Sequence, residues 1–324
     1  MASLVERPDP VPGPGEIVVA VKAALTCGTD LKLLRRGHPK VPFPVTLGHE
    51  MAGVVEAAGA EVPFAPGDRV TSAVTAPCGA CAPCRDGRGN LCETAFEAPL
   101  WGAYADLVLL SPRLVRGAVR RIPVGLSFEA AALLDPLASV VHGLMRVPAV
   151  AGGSVLIAGS GPIAALHVAL LRRGAGRIVV AAPEPARLRI LEGMGAETVL
   201  LEPGGSVASA VAGSFELVVD TTGSPAVASS LAARAAPGGT LLLFAGMAAG
   251  SRLDVDAFRV HYEEVNLVGT FHYRPPDADR ALSFLATGAV DPAPVLSGTR
   301  PLAEWRQAFD DVERGEAMKT VLVP

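Results

Sequence analysis

Four cysteines in the first third of the chain have the spacing of a closed metal site. Cys78, Cys81, Cys84 and Cys92 follow the pattern C-x2-C-x2-C-x7-C within fifteen residues, and four thiolates complete the tetrahedral shell of a zinc ion without an open position. The prolines and glycines around them favour a loop that forms no packed core and needs a metal to hold its shape. We predict a structural zinc here; an iron–sulfur site and a cluster of free thiols are the alternatives.

A second set of metal-ligand residues comes from two short segments that contain the fifth cysteine, Cys27, and the pair His49 and Glu50. A thiol, an imidazole and a carboxylate are zinc ligands, and a site with three protein ligands keeps one position open for chemistry. Thr29 could touch whatever occupies that position, and Asp30 could orient the His49 ring. The same residues would also suit core or surface positions. We predict a catalytic zinc, and therefore two zinc ions per chain.

A glycine motif, Gly159-Ser160-Gly161-Pro162-Ile163-Ala164, follows an apolar run near the middle of the chain. The first glycine permits a tight turn, the second lets a pyrophosphate approach the backbone, and a helix N-terminus behind them favours the anion. Because the chain has 35 glycines, the motif gains its meaning from the predicted strand before it and the predicted helix after it. It predicts a dinucleotide-binding site.

The elements that would position the two metal sites are predicted to be strands. Residues 14–25, 52–57 and 102–110 are rich in strand and turn residues, and we find no helical period before about residue 127. The first third is therefore expected to be an irregular, β-rich domain that carries both metal sites.

Strands and helices alternate in the second part of the chain. Ser127 is expected to cap a helix, and a second helix is expected to start near Asp135 and Pro136 and to run toward His142. From Ser154 onward, helical segments connect six predicted strands: 155–158, 178–182, 198–201, 217–220, 240–244 and 266–269. This order predicts an α/β fold with a doubly wound parallel sheet, which binds its ligand at the carboxyl ends of the strands.

The composition excludes some partners. The chain has 324 residues with 28 Lys and Arg against 32 Asp and Glu, so we expect no nucleic-acid partner and no anionic-membrane partner. Its start lacks a basic segment followed by an apolar one, which favours a cytoplasmic protein. The uncharged stretch 147–171 is interrupted by prolines and glycines, so a buried strand, turn and helix are expected there.

Together these motifs resemble the zinc-dependent medium-chain dehydrogenase/reductase superfamily of alcohol and polyol dehydrogenases. Further matching landmarks are Gly67-Asp68-Arg69-Val70 and Lys319-Thr320-Val321-Leu322. The resemblance implies a GroES-like catalytic domain over residues 1–122, a Rossmann domain over 123–271 and a return to the catalytic domain over 272–324. It also implies a homodimer or homotetramer formed through the last Rossmann strand.

Carried over residue by residue, the resemblance implies that Cys27 and His49 bind the catalytic zinc, while Thr29 contacts the substrate oxygen and passes its proton on. The remaining ligand is expected to be Asp135, with Glu50 as an exchanging ligand. The alternative for Asp135 is a plain helix cap before Pro136. The cofactor is expected to be contacted by Gly159, Gly161, Pro162, Ile163, Ala182, Arg187, Thr222 and Gly246.

The residues around Asp135 and the segment 269–274 resemble the polyol and aminocyclitol branch. His272 stands where polyol dehydrogenases have an arginine that contacts substrate hydroxyls, so it would contact substrate or be a packed histidine. Trp101 and Leu33 are candidate pocket walls, although Trp101 would also suit the core. The expected partner is a small alcohol or ketone, and an amino-alcohol dehydrogenase resembling threonine 3-dehydrogenase is an alternative.

A catalytically inactive nucleotide sensor is another alternative, and so is a zinc-free quinone reductase. The presence of Cys27, Thr29 and His49 argues against both.

The second strand of the Rossmann domain departs from the pattern of NAD-binding chains. Such a strand ends in an acidic residue that binds the ribose diol, whereas this one ends in Ala182. The nearest acid, Glu184, lies beyond a proline, and Arg187 is available for a 2′-phosphate. We expect NAD(P) as the cofactor, with a slight preference for NADP.

Overall fold

The computed structural model describes residues 2–36, 45–202 and 204–324, and the chain divides into two units. The first unit comprises Met1–Ser139 and Tyr273–Pro324, and the second comprises Val140–His272. The first division therefore falls inside the helix Leu134–Leu144, later than the limit near residue 122 that we predicted. The limits of the catalytic and dinucleotide-binding domains stay a prediction.

Thirteen strands are present in the described part of the chain: β1 (Ile17–Leu25), β2 (Met51–Ala58), β3 (Arg69–Ser72), β4 (Leu107–Leu110), β5 (Val119–Arg121), β6 (Ser154–Ala158), β7 (Arg177–Ala182), β8 (Glu197–Leu200), β9 (Phe215–Asp220), β10 (Ala235–Leu243), β11 (Asn266–Gly269), β12 (Leu296–Pro301) and β13 (Lys319–Val323).

Twelve α-helices accompany them in the same residues: α1 (Gly28–Arg36), α2 (Ala82–Arg85), α3 (Pro112–Gly117), α4 (Phe128–Ala131), α5 (Leu134–Leu144), α6 (Pro162–Leu171), α7 (Pro185–Gly193), α8 (Val207–Ala210), α9 (Pro225–Ala232), α10 (Ala257–Tyr262), α11 (Pro275–Ala286) and α12 (Trp305–Glu313). None is long and apolar enough to cross a membrane.

The sheet of the first unit is organised around β1, a nine-residue strand of almost entirely buried residues. It runs in the order β12-β13-β1-β2-β3-β5, with β4 also pairing β1. Ala24 of β1 lies opposite Met51 of β2, and Leu25 lies opposite Val321 of β13. This register brings the residues that follow β1, those that precede β2 and those that begin β13 to the same end of the sheet.

Short helices are present before residue 127, although the sequence shows no helical period there. Helix α1 follows β1 directly, and the short helices α2 and α3 also lie in this part of the chain. Helix α1 has only nine residues, too few for a clear helical period, and its Leu33 is 1% exposed. Packing of such a short segment decides its structure more than its own propensity does. Leu33 is therefore a core residue.

The second unit confirms the predicted parallel sheet. Its strand order is β11-β10-β9-β6-β7-β8, and every neighbouring pair is parallel. The chain moves outward from β6 in one direction and then from β9 in the other, so the switch in strand order lies between these two strands. The uncharged stretch 147–171 contains β6 and α6, as expected.

Candidate metal centres and dinucleotide site

The four cysteines of the loop region form one cluster. The sulfur atoms of Cys78, Cys81, Cys84 and Cys92 all lie within 4.8 Å of one another. Those of Cys78 and Cys84 are 3.9 Å apart, close to the roughly 3.8 Å edge of a tetrahedron with zinc–sulfur bonds of about 2.3 Å. The cluster fits a zinc ion with no open position.

Backbone amides already favour thiolate at this cluster. The N–H groups of Ala80 and Cys81 donate to Cys78 Sγ at 3.4 and 3.3 Å, and these bonds, led by that of Ala80, lower the pKa of Cys78 to about 6. The N–H of Cys78 donates to Cys92 Sγ at 3.2 Å. Burial raises the pKa of Cys84 to about 12, and a bound cation would overcome this because coordination deprotonates a thiol.

A second cluster lies at the end of the sheet where β1 stops. Single ligand atoms of Cys27, Asp30 and His49 lie within 4.8 Å of one another, and so do those of His49, Glu50 and Asp135. Cys27 immediately precedes α1, and His49 and Glu50 immediately precede β2. The structure thus brings together the ligands that the sequence predicted, with His49 common to both groups.

Asp30 is fully buried behind His49, and its oxygens have partners within the protein. Its Oδ1 accepts from the Gly48 N–H at 3.2 Å and lies 3.4 Å from His49 Nδ1. Its Oδ2 is 2.8 Å from the hydroxyl of Tyr104, which also lies 2.8 Å from the carbonyl oxygen of Leu25. This arrangement suits orientation of the His49 ring better than direct metal binding.

The ring of His49 is buried and held on more than one side. Burial lowers its pKa, but the Asp30 carboxylate and then the Cys27 sulfur raise that pKa well above its usual value. Trp101 packs against the ring in an edge arrangement, with centroids 5.0 Å apart. Trp101 therefore lies beside the predicted zinc ligands.

Glu50 forms a buried ion pair that the sequence analysis missed. Lys319 Nζ donates to the two carboxylate oxygens at 2.8 and 2.5 Å and also to the Thr26 carbonyl at 3.1 Å. Burial alone would lower the pKa of Lys319, and the Glu50 carboxylate more than offsets this effect, so that pKa is raised. Both oxygens of Glu50 are thus occupied by one cation.

Asp135 lies in the first turn of α5 and has a different partner. Its Oδ1 accepts from the Tyr273 hydroxyl at 2.5 Å. Thr71 of β3 links helix α4, which precedes α5, to strand β2. Its hydroxyl is 2.8 Å from the Met51 carbonyl oxygen of β2 and 3.1 Å from the Ala131 carbonyl oxygen of α4. Burial and the Asp135 carboxylate hold the pKa of Tyr273 well above its usual value, so this hydroxyl keeps its proton.

Thr29 and His272, the other residues predicted to contact substrate, lie in different units of the chain. Thr29 is exposed, and its N–H donates to Cys27 Sγ at 3.4 Å, so it lies next to the predicted zinc ligand. His272 is the last residue of the second unit, has a left-handed backbone with φ 56°, and has its ring 6.1 Å from that of Phe271. Its contact with substrate stays a prediction.

The glycine motif lies between β6 and α6, at the carboxyl end of the sheet. Gly159 has φ 104°, and a side chain there would meet the Thr221 hydroxyl at 2.4 Å. Gly161, before Pro162 and Ile163, has no atom within 4 Å of where a side chain would begin, and the same is true of Gly246 after β10. Open backbone of this kind is what a pyrophosphate needs in order to approach.

Two further turns complete this edge of the sheet. Asp220 ends β9 and is fully buried, and its Oδ1 accepts from both the N–H and the hydroxyl of Thr222, at 2.9 and 2.6 Å. Beyond β7 and the buried Ala182, the carboxylate of Glu184 accepts from the Ser160 hydroxyl at 2.7 Å. Arg187 lies within the electrostatic influence of Glu184, while burial lowers the Arg187 pKa.

Comparisons with known proteins show the family to which the chain belongs. The alcohol dehydrogenase GroES-like domain model matches residues 13–118, and the zinc-binding dehydrogenase model matches residues 163–287. The chain is 33% identical to D-altritol 5-dehydrogenase of Agrobacterium fabrum, over 95% of this chain and 92% of that protein. It is 30% identical to L-threonine 3-dehydrogenase of Streptomyces avermitilis, over 98% and 95%.

A solved structure from Sinorhizobium meliloti 1021, described as a zinc-binding dehydrogenase and bound to NADP, is also similar. It is 32% identical, with a TM-score of 0.86, and the match covers 97% of this chain and 94% of that one. The matched domains and relatives confirm the resemblance noted in the sequence. The chain belongs to the zinc-binding, GroES-like alcohol dehydrogenase family and is a zinc-dependent oxidoreductase that uses NAD(P).

Proposed function

We propose that this dehydrogenase oxidises a secondary alcohol group on a polyhydroxylated or aminated carbon skeleton. The observation that carries the proposal is the open cluster around His49, in which Glu50 and Asp135 place two carboxylates within 4.8 Å of the imidazole. Together with Cys27, these residues offer the thiol, imidazole and carboxylate that hold a zinc ion able to polarise an alcohol hydroxyl. The altritol and threonine dehydrogenases to which the chain is similar support the same substrate class.

Each residue of the cluster has a separate task in the proposed reaction. Cys27, His49 and Asp135 would hold the zinc ion. When bound, the zinc ion would supply the Lewis acidity that lowers the pKa of the substrate hydroxyl, and the nicotinamide cofactor would supply the hydride acceptor. Thr29, exposed beside Cys27, would accept the hydroxyl proton while passing its own proton on to solvent, and Asp30 would keep the His49 ring in a single orientation.

Asp135 is the better candidate for the third ligand. Lys319 binds both oxygens of Glu50, so Glu50 would have to break a buried ion pair to coordinate a metal. Asp135 Oδ1 accepts a hydrogen bond from the neutral hydroxyl of Tyr273. We therefore propose two zinc ions per chain, with Glu50 outside the resting ligand set.

The proposal is tested by a substrate panel of polyols, aminocyclitols, L-threonine and short primary alcohols with each cofactor. Polar groups of the site that a short alcohol leaves unpaired should make it a poorer substrate, by about 10- to 100-fold per lost contact. Thr29→Val keeps the side-chain shape and should lower kcat by about 100-fold or more, whereas Thr29→Ser should retain much of it. Ethanol as the best substrate, or normal turnover by Thr29→Val, would contradict the proposal.

An amino-alcohol substrate is the second candidate. It is favoured by the similarity to L-threonine 3-dehydrogenase over nearly the whole of both chains. In the panel above, kcat/KM for L-threonine above that of every polyol would select this candidate.

For the cofactor, we propose that NADP is used at least as well as NAD. The acid that would bind a ribose diol at the end of β7 is replaced by the buried Ala182. Glu184 is engaged by Ser160, and Arg187 carries the positive charge that a 2′-phosphate requires. The NADP bound by the similar Sinorhizobium protein supports this choice.

We also infer that the chain forms a homodimer, or a tetramer built from such dimers, through β11. This strand is the last of its sheet and pairs only with β10 among the described residues. Leu267 on it is 39% exposed, and Phe258 and Tyr262 of α10 are also exposed. An open apolar edge of this kind favours pairing with a second copy.

A further inference from the structure

We propose that Tyr273 is a positioning residue that fixes the Asp135 carboxylate for the catalytic metal. The inference rests on the proposed function, because it assumes that Asp135 is a zinc ligand. Tyr273 was not among the site residues that the sequence predicted, and it would act entirely through Asp135.

The hydrogen bonds of the Tyr273 hydroxyl have only one possible direction. The Val74 N–H lies 3.1 Å from the hydroxyl oxygen, and an amide N–H can only donate. The hydroxyl oxygen is therefore the acceptor in that bond, and its single proton is left for Asp135 Oδ1 at 2.5 Å. A short O–H bond to a carboxylate is stronger and more directional than a neutral one.

The backbone on both sides of Tyr273 restricts where its side chain can lie. His272, the residue before it, has a left-handed φ of 56°, which is uncommon outside glycine. After it, Arg274 is the N-cap of α11, and Asp277 Oδ2 accepts from the Arg274 N–H at 2.9 Å. The Tyr273 side chain itself is buried. The position of the hydroxyl is thus restricted, and its hydrogen bond restricts the position of the Asp135 carboxylate.

The two carboxylates near His49 therefore have partners of different charge. Glu50 is neutralised by the cation of Lys319, which competes with a metal ion for the same oxygens. Tyr273 is a neutral donor to one oxygen of Asp135, so it restrains the carboxylate without bringing a counter-charge that would compete with an ion. A neutral donor behind a ligand is how outer residues raise metal affinity.

Tyr273→Phe removes one oxygen and tests this role through metal release. Zinc release to a competing chelator is followed in the full-length protein, with Tyr262→Phe as the matched control because Tyr262 is exposed. We call the proposed zinc site of Cys27, His49 and Asp135 the open site. Tyr273→Phe should release zinc from the open site about 10- to 100-fold faster and leave release from the four cysteines unchanged. In an Asp135→Cys background, where a thiolate can hold the ion in place of the carboxylate, the same change should have a smaller effect.

Release of both zinc ions at the wild-type rate by Tyr273→Phe would overturn the inference, as would an undiminished effect in the Asp135→Cys background. Wild-type protein that holds zinc only at the four cysteines would overturn the proposed function as well, which separates the two failures. If Tyr273→Phe does not fold, 3-fluorotyrosine placed at position 273 keeps both hydrogen bonds. Its fluorine resonance should move when the open site is loaded, and only while Asp135 is a carboxylate; an unmoved resonance overturns the inference.

Discussion

Lys319 and Glu50 form a buried ion pair beside the candidate catalytic centre. Both side chains are almost entirely inaccessible to water, so each charge depends on the other for its compensation. The pair also ties β13 to the residues before β2, and the Thr26 carbonyl accepts a third bond from the same ammonium. A residue beside the metal cluster thus has a structural task that is separate from chemistry.

Lys319→Met should destabilise the first unit by about 3 to 5 kcal/mol, because it leaves the Glu50 carboxylate buried without a counter-charge. Denaturant titration of the zinc-loaded protein measures the loss. The double variant Lys319→Met with Glu50→Gln serves as the control and should recover part of it, since the unpaired charge is then gone. Equal midpoints for wild type and Lys319→Met would show that the pair contributes nothing to stability.

At the residue scale, the sequence predicted candidate ligands and one supporting residue, Asp30, but not the other residues that support them. Cys27, His49 and the four cysteines stand in short local patterns whose chemistry is specific. Tyr104, Tyr273 and Lys319 act through bonds to residues 74, 138 and 269 positions away, and no local pattern reports such a partner. Only the fold shows which tyrosine or lysine reaches a carboxylate.

At the scale of elements, the six alternating strands of the second unit could be predicted because parallel strands buried on both faces have continuous apolar sequences. The cap at Ser127 was also predictable, and its hydroxyl does accept from the Ala130 N–H at 3.2 Å. Helix α1 could not be predicted, because it has only nine residues and most of them are polar. A helix this short is stabilised by tertiary packing more than by its own sequence. The turn after β7 was also not predicted, since Glu184 bonds back to Ser160 across the sheet edge.

The β7–α7 turn should set the choice between NADP and NAD. Arg187→Gln removes the charge that would pair with a 2′-phosphate and should raise KM for NADP while leaving KM for NAD nearly unchanged. Glu184→Gln removes a nearby negative charge and should have the opposite effect on the NADP value. Both are measured as kcat/KM with each cofactor on one substrate. A wild type with strong preference for NAD, lost in Glu184→Gln, would contradict this assignment and would place the ribose contact at Glu184.

At the scale of the whole molecule, β8 and β11 are the two edges of the parallel sheet, and they differ in their surroundings. The exposed aromatic residues Phe258 and Tyr262 precede β11, and their rings lie 4.7 Å apart. Phe271 follows the strand and is half exposed. Large apolar side chains grouped in this way are typical of an association surface.

Leu267→Lys should convert the protein to monomers, because it places a charge on the edge strand that would pair with a second copy. Leu200→Lys is the matched control: Leu200 is exposed on β8, at the opposite edge of the same sheet, and its variant should remain a dimer or tetramer. Light scattering after size-exclusion chromatography gives the mass of each. Monomeric wild-type protein, or dissociation by the Leu200 variant alone, would refute association through β11.

The central claim is that Cys27, His49 and Asp135 hold a catalytic zinc while the four cysteines hold a second one. Zinc content and turnover, measured together on wild type, Asp135→Asn and Glu50→Gln, test it most directly. We predict about two zinc ions for wild type and for Glu50→Gln, and about one zinc with turnover lost for Asp135→Asn, because an amide is a poor zinc ligand beside thiolate, imidazole and carboxylate. Asp135→Asn with two zinc ions and normal turnover, together with Glu50→Gln that has lost one zinc ion and its turnover, would contradict the account.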